Sequence, residues 1–334
     1  MRRFTSAVAI AAISTLMYAP VGAQTPEFEV DTSFDVAAAE LPEGLSIDSQ
    51  GATYVTLGPP FFVPQSGPGW VKRISADGDV HTLAEFDDGA PAGIVVDAEG
   101  EVYFARPNPG NEESRGIYHL SADGTPELLA GTEDLLVANG LALDGLDGLF
   151  ASDSALGTIW RIPLDGGSAE PWFSDQALTG GCGEGDVGAN GVALWQDGLY
   201  VANTSRGLLV RIAIEADGSA GATQIVAGDD TNECQPDALF GMDGIAFDSE
   251  GSVYAALVLQ NQLVRIDPSD GSFEVLLTAE DGLHNPASLA FGTTEGDRST
   301  LYITNYAVLD PVPPDSPGPA VLSFDAGVEG ATLS

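Results

Sequence analysis

Four residues stand at equivalent places in a repeated segment and carry side chains able to hold a hard cation. Glu43, Asn139, Asn190 and Asp243 each come immediately before a glycine and a short run of alternating apolar residues. Two carboxylates and two amides, with no histidine or thiolate among them, form an all-oxygen donor set. Calcium takes such oxygens in flexible number, so calcium is expected first, with zinc, manganese or magnesium as alternatives. Two carboxylates facing each other in a partly desolvated place would also be costly without a cation between them.

The elements that must position these residues follow from the repeat. Its copies are Glu43-Gly44-Leu45-Ser46-Ile47-Asp48, Ala92-Gly93-Ile94-Val95-Val96-Asp97, Asn139-Gly140-Leu141-Ala142-Leu143-Asp144, Asn190-Gly191-Val192-Ala193-Leu194, Asp243-Gly244-Ile245-Ala246-Phe247-Asp248 and a degenerate Ala287-Ser288-Leu289-Ala290-Phe291. They recur at steps of 44 to 53 residues. A second aromatic, alternating run follows each copy, as in Val102-Tyr103-Phe104 and Leu199-Tyr200-Val201. Period-2 alternation with aromatics reads as strand. A third strand then enters a turn at Asp77-Gly78, Asp123-Gly124, Asp165-Gly166, Asp217-Gly218, Asp270-Gly271 or Asp325-Ala326-Gly327, and an outer strand follows most of these turns. Six units of four antiparallel strands predict an all-β, six-bladed β-propeller in one domain, residues 24–334. Phe28 to Phe34 is one candidate for the strand that closes the ring, and Val328 to Leu333 is its rival.

Residues 1–23 read as a signal peptide. Arg2 and Arg3 precede an apolar stretch from Ala7 to Met17, and Val21-Gly22-Ala23 offers small residues for cleavage. The expectation is a secreted or periplasmic protein, off the membrane once cleaved, and monomeric. With 50 acidic and 11 basic residues the net charge is −39. Such a surface repels nucleic acid and anionic membranes and leaves a small-molecule substrate as the expected partner. In an oxidising compartment Cys182 and Cys234 are expected to form a disulfide.

In a propeller the first strand of each blade is innermost, so the residue before each repeat glycine lies at one mouth of the central channel. Second strands end at the same face, which places Arg106, Asp153, Asn203 and Tyr306 there as candidate substrate contacts. Long loops after the second strands of blades one and six add Phe61 and Phe62 as an apolar wall. His284, just before the sixth inner strand, is a candidate general base.

In these motifs the chain resembles the gluconolactonase and regucalcin group of six-bladed propellers, related to diisopropyl fluorophosphatase and the paraoxonases. Glu43 in Pro42-Glu43-Gly44, Asn190 in Ala189-Asn190-Gly191 and Asp243 in Met242-Asp243-Gly244 match the metal-holding glutamate, asparagine and aspartate of that group. Asn139 matches an asparagine that is a ligand in some members and a substrate contact in others. The resemblance implies a metal-dependent hydrolase of a lactone or related ester, started by Asp243, by His284 or by water activated at the metal. Sugar-acid lactonases of the group carry an arginine two residues before the blade-three asparagine, where this chain has Val137, so an aldonolactone is not the expected substrate. Two alternatives stand beside this reading: a non-catalytic ligand- or protein-binding propeller with a structural calcium, and a lyase or synthase of the strictosidine-synthase type.

Overall fold

A computed structural model describes residues 28–35, 38–60, 67–108, 111–121, 124–181, 183, 186–231, 238–309 and 316–331. The predicted signal peptide, Phe61, Phe62, Cys182 and Cys234 lie outside the described residues. Six four-stranded antiparallel sheets are arranged as the blades of a propeller. Blade one is β2 (Pro42–Ile47), β3 (Thr53–Leu57), β4 (Gly69–Ile74) and β5 (Val80–Phe86). Blade two is β6 (Ile94–Val96), β7 (Val102–Arg106), β8 (Gly116–Leu120) and β9 (Pro126–Leu128). Blade three is β10 (Ala138–Leu143), β11 (Gly148–Asp153), β12 (Thr158–Pro163) and β13 (Glu170–Ser174). Blade four is β14 (Ala189–Trp195), β15 (Gly198–Asn203), β16 (Leu208–Ile214) and β17 (Ala220–Ala227). Blade five is β18 (Met242–Phe247), β19 (Val253–Leu257), β20 (Gln262–Ile266) and β21 (Phe273–Leu277).

Blade six is built from both ends of the chain. β22 (Pro286–Phe291), β23 (Thr300–Asn305) and β24 (Ala320–Asp325) come from the C-terminal side, and β1 (Phe28–Ser33) adds the outer strand. The pairing runs antiparallel from Phe28 opposite Phe324 to Ser33 opposite Ala320. The N-terminal candidate therefore closes the ring. The C-terminal one runs instead along blade five, where Gly330 bridges Asp248 and the Ala331 N–H donates to the Phe247 carbonyl.

The turns between third and outer strands obey local chemistry. Gly78, Gly124, Gly166, Gly218, Gly271 and Gly327 all have φ between 70° and 92°. That region costs a side chain about 1 kcal/mol or more and costs glycine nothing. The aspartates that end the inner strands clamp the next turn. Asp48 Oδ1 accepts from the Gln50 and Ala52 N–H groups, and Asp248 Oδ1 accepts from those of Glu250 and Ser252.

The core lies between neighbouring blades. Tyr200, Ala202 and Leu209 of blade four pack with Met242, Ile245, Val253 and Val264 of blade five. Phe86 and Val71 of blade one pack with Ile94, Phe104 and Tyr118 of blade two. Near the channel the blades meet backbone to backbone. A β-carbon on Gly93 would lie 2.2 Å from the Asn139 carbonyl oxygen, and one on Gly191 the same distance from that of Asp243. Gly44, Gly140 and Gly244 make the same approach to the next blade at 2.4 to 2.6 Å. The repeat glycine is thus a spacer between blades.

Candidate metal and active site at the channel mouth

The variable residue before each spacer is aimed by a bulge. The pairing of inner and second strands slips between Pro42 and Leu45, Ala138 and Leu141, Ala189 and Val192, Met242 and Ile245, and Pro286 and Leu289. A bulge leaves a residue outside the ladder and redirects its side chain. In this fold it turns Glu43, Asn139, Asn190 and Asp243 away from the blade and into the mouth. Blade two presents Ala92 there and blade six Ala287, which contribute no donor.

The two amides are fixed in orientation. Asn139 Nδ2 donates to Ser154 Oγ at 3.1 Å, and Ser154 Oγ donates to the Ala189 carbonyl at 2.7 Å. Asn190 Nδ2 donates to Thr204 Oγ1 at 2.9 Å, and Thr204 Oγ1 donates to the Met242 carbonyl at 2.8 Å. Each hydroxyl spends its only proton on a backbone carbonyl, so it can only accept from the asparagine. The NH2 of each amide is thereby tied to a hydroxyl of its own blade, and that of Asn190 also donates to Asp243. Ser154 and Thr204 are the residues sequence reading missed. They sit one place beyond Asp153 and Asn203, and the signal available was a hydroxyl after the second strand in the two asparagine-bearing blades.

The carboxyls show the strain of this placement. Glu43 is buried, and burial, reinforced by the charge of Asp243, raises its pKa well above the usual carboxylate range. Asp243 is pushed up to about 8, mainly by desolvation, against the opposing pull of a hydrogen bond from Asn190. Tyr306 is buried beside them, and desolvation followed by the charges of Glu43 and Asp243 lifts its phenol well above its ordinary value. Two carboxyls that resist ionisation together, flanked by two amide side chains, fit a hard divalent cation, which would supply the missing charge. Among the described residues no three histidine, cysteine or acidic side chains cluster as metal ligands, so the amides must complete any such site.

The other predicted residues have different surroundings. The Arg106 guanidinium is buried against Asp88 at 2.5 Å and stacks over Phe86 and Tyr118. Asp153 is fully buried and accepts from the backbone N–H groups of Leu136, Val137, Ala155 and Leu156. Asn203 donates to the Ala177 and Thr179 carbonyls and accepts from the Arg206 N–H. All three side chains brace the loops that enter or leave a blade, with their polar atoms turned into protein. Asn305 does the same in blade six, where its Oδ1 accepts from the His284 N–H at 2.7 Å. His284 is buried, and its Nε2 is hydrogen-bonded to the Leu309 carbonyl. A carbonyl only accepts, so Nε2 carries the proton and Nδ1 holds the lone pair. That Nδ1 is buried without a hydrogen-bond partner among the described residues. The backbone here is contorted: Asn285 and Ala307, beside His284 and Tyr306, have φ of 51° and 53°.

Comparison with known proteins agrees with this architecture. Residues 183–307, which carry Asn190, Asp243, His284 and Tyr306, match the model of the SMP-30/Gluconolactonase/LRE-like region. The chain is a six-bladed propeller that is similar to this family over that stretch. A gluconolactonase of Xanthomonas campestris superposes over 92% of this chain and 98% of its own with a TM-score of 0.60 at 18% identity. Regucalcin of Agrobacterium tumefaciens, a calcium-binding protein, superposes over 91% of this chain and 95% of its own with a TM-score of 0.63 at 17% identity. At these identities the likeness is one of fold. A protein of Sarocladium schorii named as a hetero-Diels-Alderase is 33% identical over 159 residues, 44% of this chain. That match spans 39% of the fungal protein, so the two share only part of their lengths.

Proposed function

We propose that the protein is a metal-dependent hydrolase of a lactone or related ester, with a divalent cation, calcium first, held by Glu43, Asn139, Asn190 and Asp243. The observation that carries the reading is the orientation of the two amides. Ser154 and Thr204 fix both amide side chains at a mouth that already holds two destabilised carboxyls. A cation bound there would act as a Lewis acid toward the carbonyl or phosphoryl oxygen of the substrate.

The chain's own groups account for the proton. Asp243, which a bound cation would keep ionised, accepts a proton from water as the water oxygen adds to the carbonyl carbon. Collapse of the adduct breaks the bond to the alkoxy oxygen, and the proton returns from Asp243 to that oxygen. Tyr306, kept protonated by its surroundings, is a donor for the oxygen that gains negative charge. His284, with Nε2 committed to Leu309, positions the loop that carries Tyr306 through the bond from the Ala307 N–H to the His284 carbonyl.

Purified protein is expected to open a lactone or aryl ester, to lose that activity in chelator and to regain it with calcium. Asp243→Ala is expected to abolish turnover, and full activity in that variant would sink the assignment. The partial match to a hetero-Diels-Alderase favours a second reading, a propeller that catalyses a metal-free cyclisation or elimination. On that reading the metal-free protein keeps its activity and no ester is hydrolysed.

A further inference from the structure

The loops around the channel mouth expose large apolar side chains at four places. Leu136, Leu156, Leu259 and Leu309 are each 38 to 45% exposed. All four lie at the end of the propeller where inner strands begin and second strands finish. The other large exposed apolar residues described, such as Val30, Leu128, Phe273 and Val275, sit on outer strands, and Leu146 lies on the opposite face.

Each of the four is anchored on a blade that carries a residue of the candidate site. The Leu136 and Leu156 N–H groups both donate to the Asp153 carboxylate, which brings these leucines together on the blade of Asn139. Leu259 lies over Gly241, where a β-carbon would meet the Leu259 Cβ at 2.8 Å, two residues before Asp243. The Leu309 N–H donates to Asn285 Oδ1 at 2.9 Å and its carbonyl accepts from His284, so it is fixed above the blade that carries Tyr306.

The charges of this face point the same way. Its described cations are all engaged. Arg106 pairs with Asp88, Lys72 with Glu40, Arg206 donates to the Gln176 and Asp230 carbonyls, and Arg115 donates to the Glu133 carbonyl. The mouth itself holds Glu43 and Asp243, and the whole chain carries a net charge of −39. Even with a divalent cation balancing Glu43 and Asp243, an anionic substrate would meet the repulsion of the chain's net charge, and no described arginine or lysine of this face is free to pair with it. An uncharged one with an apolar body would cover the leucines and remove them from water.

We infer that the leucines at Leu136, Leu156, Leu259 and Leu309 form a substrate-binding rim that selects uncharged, apolar esters or lactones and excludes anionic ones. For turnover this rests on the hydrolase reading, so binding is measured separately. The calcium-loaded protein is assayed with γ-lactones of increasing alkyl tail length, with a γ-lactone bearing a carboxylate, and by calorimetry with the matching tailed γ-lactams, which are not hydrolysed. Affinity and kcat/KM are expected to rise roughly two- to fourfold per methylene while the tail covers the rim. The carboxylated lactone should be the poorest ligand. Leu156→Gln and Leu259→Gln, both at exposed positions, should flatten the dependence on tail length.

Lactams that bind with this tail dependence, in a protein that opens no lactone, would uphold the rim and overturn the hydrolase reading. Turnover indifferent to tail length, or tight binding of the carboxylated lactone, would overturn the rim alone. So would sedimentation showing a dimer that Leu156→Gln dissociates, or pelleting with neutral lipid vesicles that Leu259→Gln abolishes, because the leucines would then serve a second copy or a lipid surface.

Discussion

Blades three and four differ from blades one and five in how they hold their mouth residue, although the backbone of all four is the same bulged inner strand. Asn139 and Asn190 have hydroxyl partners, Ser154 and Thr204, at the position after the second strand. At that position blade one has Gly58 and blade five has Val258, and neither offers a side-chain donor. The amides are satisfied by the fold and oriented in advance. The carboxyls of Glu43 and Asp243 are left with desolvation that raises both pKa values. The molecule thus provides rigid neutral amides on one side of the mouth and unstable negative carboxylates on the other. A cation is the partner that resolves the second without disturbing the first.

The comparison is most severely tested at the carboxyl side. Asp243→Asn should lower calcium affinity by more than about 100-fold and remove activity, as read by calorimetry and a chelator-controlled assay. An unchanged affinity would place the cation elsewhere. On the amide side, Ser154→Ala and Thr204→Ala should each weaken calcium binding by about 10- to 100-fold, the usual cost of losing a group that orients a ligand. Thr204→Ser, which keeps the hydroxyl, should restore it. If the alanine variants bind calcium normally, the relay from amide to hydroxyl to carbonyl is only structural.

The carboxyls also set a pH dependence. In the metal-free folded protein Asp243 titrates near 8 and Glu43 well above its ordinary value. The folded state therefore binds more protons than the unfolded chain across this interval, and stability falls as pH rises. The Tm in chelator should decline from about pH 4 toward pH 8. With calcium present that decline should shrink or reverse, because the cation favours the ionised carboxylates. A Tm profile unaffected by calcium would contradict the site.

A smaller effect is expected at the seam of the ring. Thr304 Oγ1 donates to the Glu43 carbonyl at 2.8 Å and accepts from the Ser288 N–H. Thr304→Val should cost about 1 to 3 kcal/mol in denaturant unfolding, since it leaves a buried carbonyl and N–H without their partner. Thr56 and Ser152 make the same link from blades one and three to the next blade, so Ser152→Ala should cost a similar amount without the special effect of a closing seam.

Much of the fold was legible because alternation, Asp-Gly turns and the repeat step are local properties. The x-Gly pair was legible too, but its meaning was not. In sequence the glycine reads as part of a strand signature, whereas in space it makes room for the next blade's carbonyl. The residues before it converge on one mouth because ring geometry brings equivalent positions of the blades together. Reading the ends of the second strands was less successful. Arg106, Asp153 and Asn203 have side chains turned into loop-bracing bonds, while the hydroxyls one residue further on hold the amides. Alternation gives the side of a strand on which a residue lies, but the bulge that aims the mouth residues lies on the inner strand, and only the paired backbone reveals it.

The sequence by itself determined the number of blades, the place of the four oxygen-bearing residues and the acidic character of the surface. These depend on residue type and spacing along the chain. The tertiary structure alone decided that the N-terminal strand closes the ring, that hydroxyls at the ends of the second strands hold the two amides, and that burial loads the two carboxyls against ionisation. Those outcomes arise from groups far apart in the chain, such as Glu43 and Asp243 or Phe28 and Phe324, and their energies exist only once folding has brought the partners together and removed the water between them.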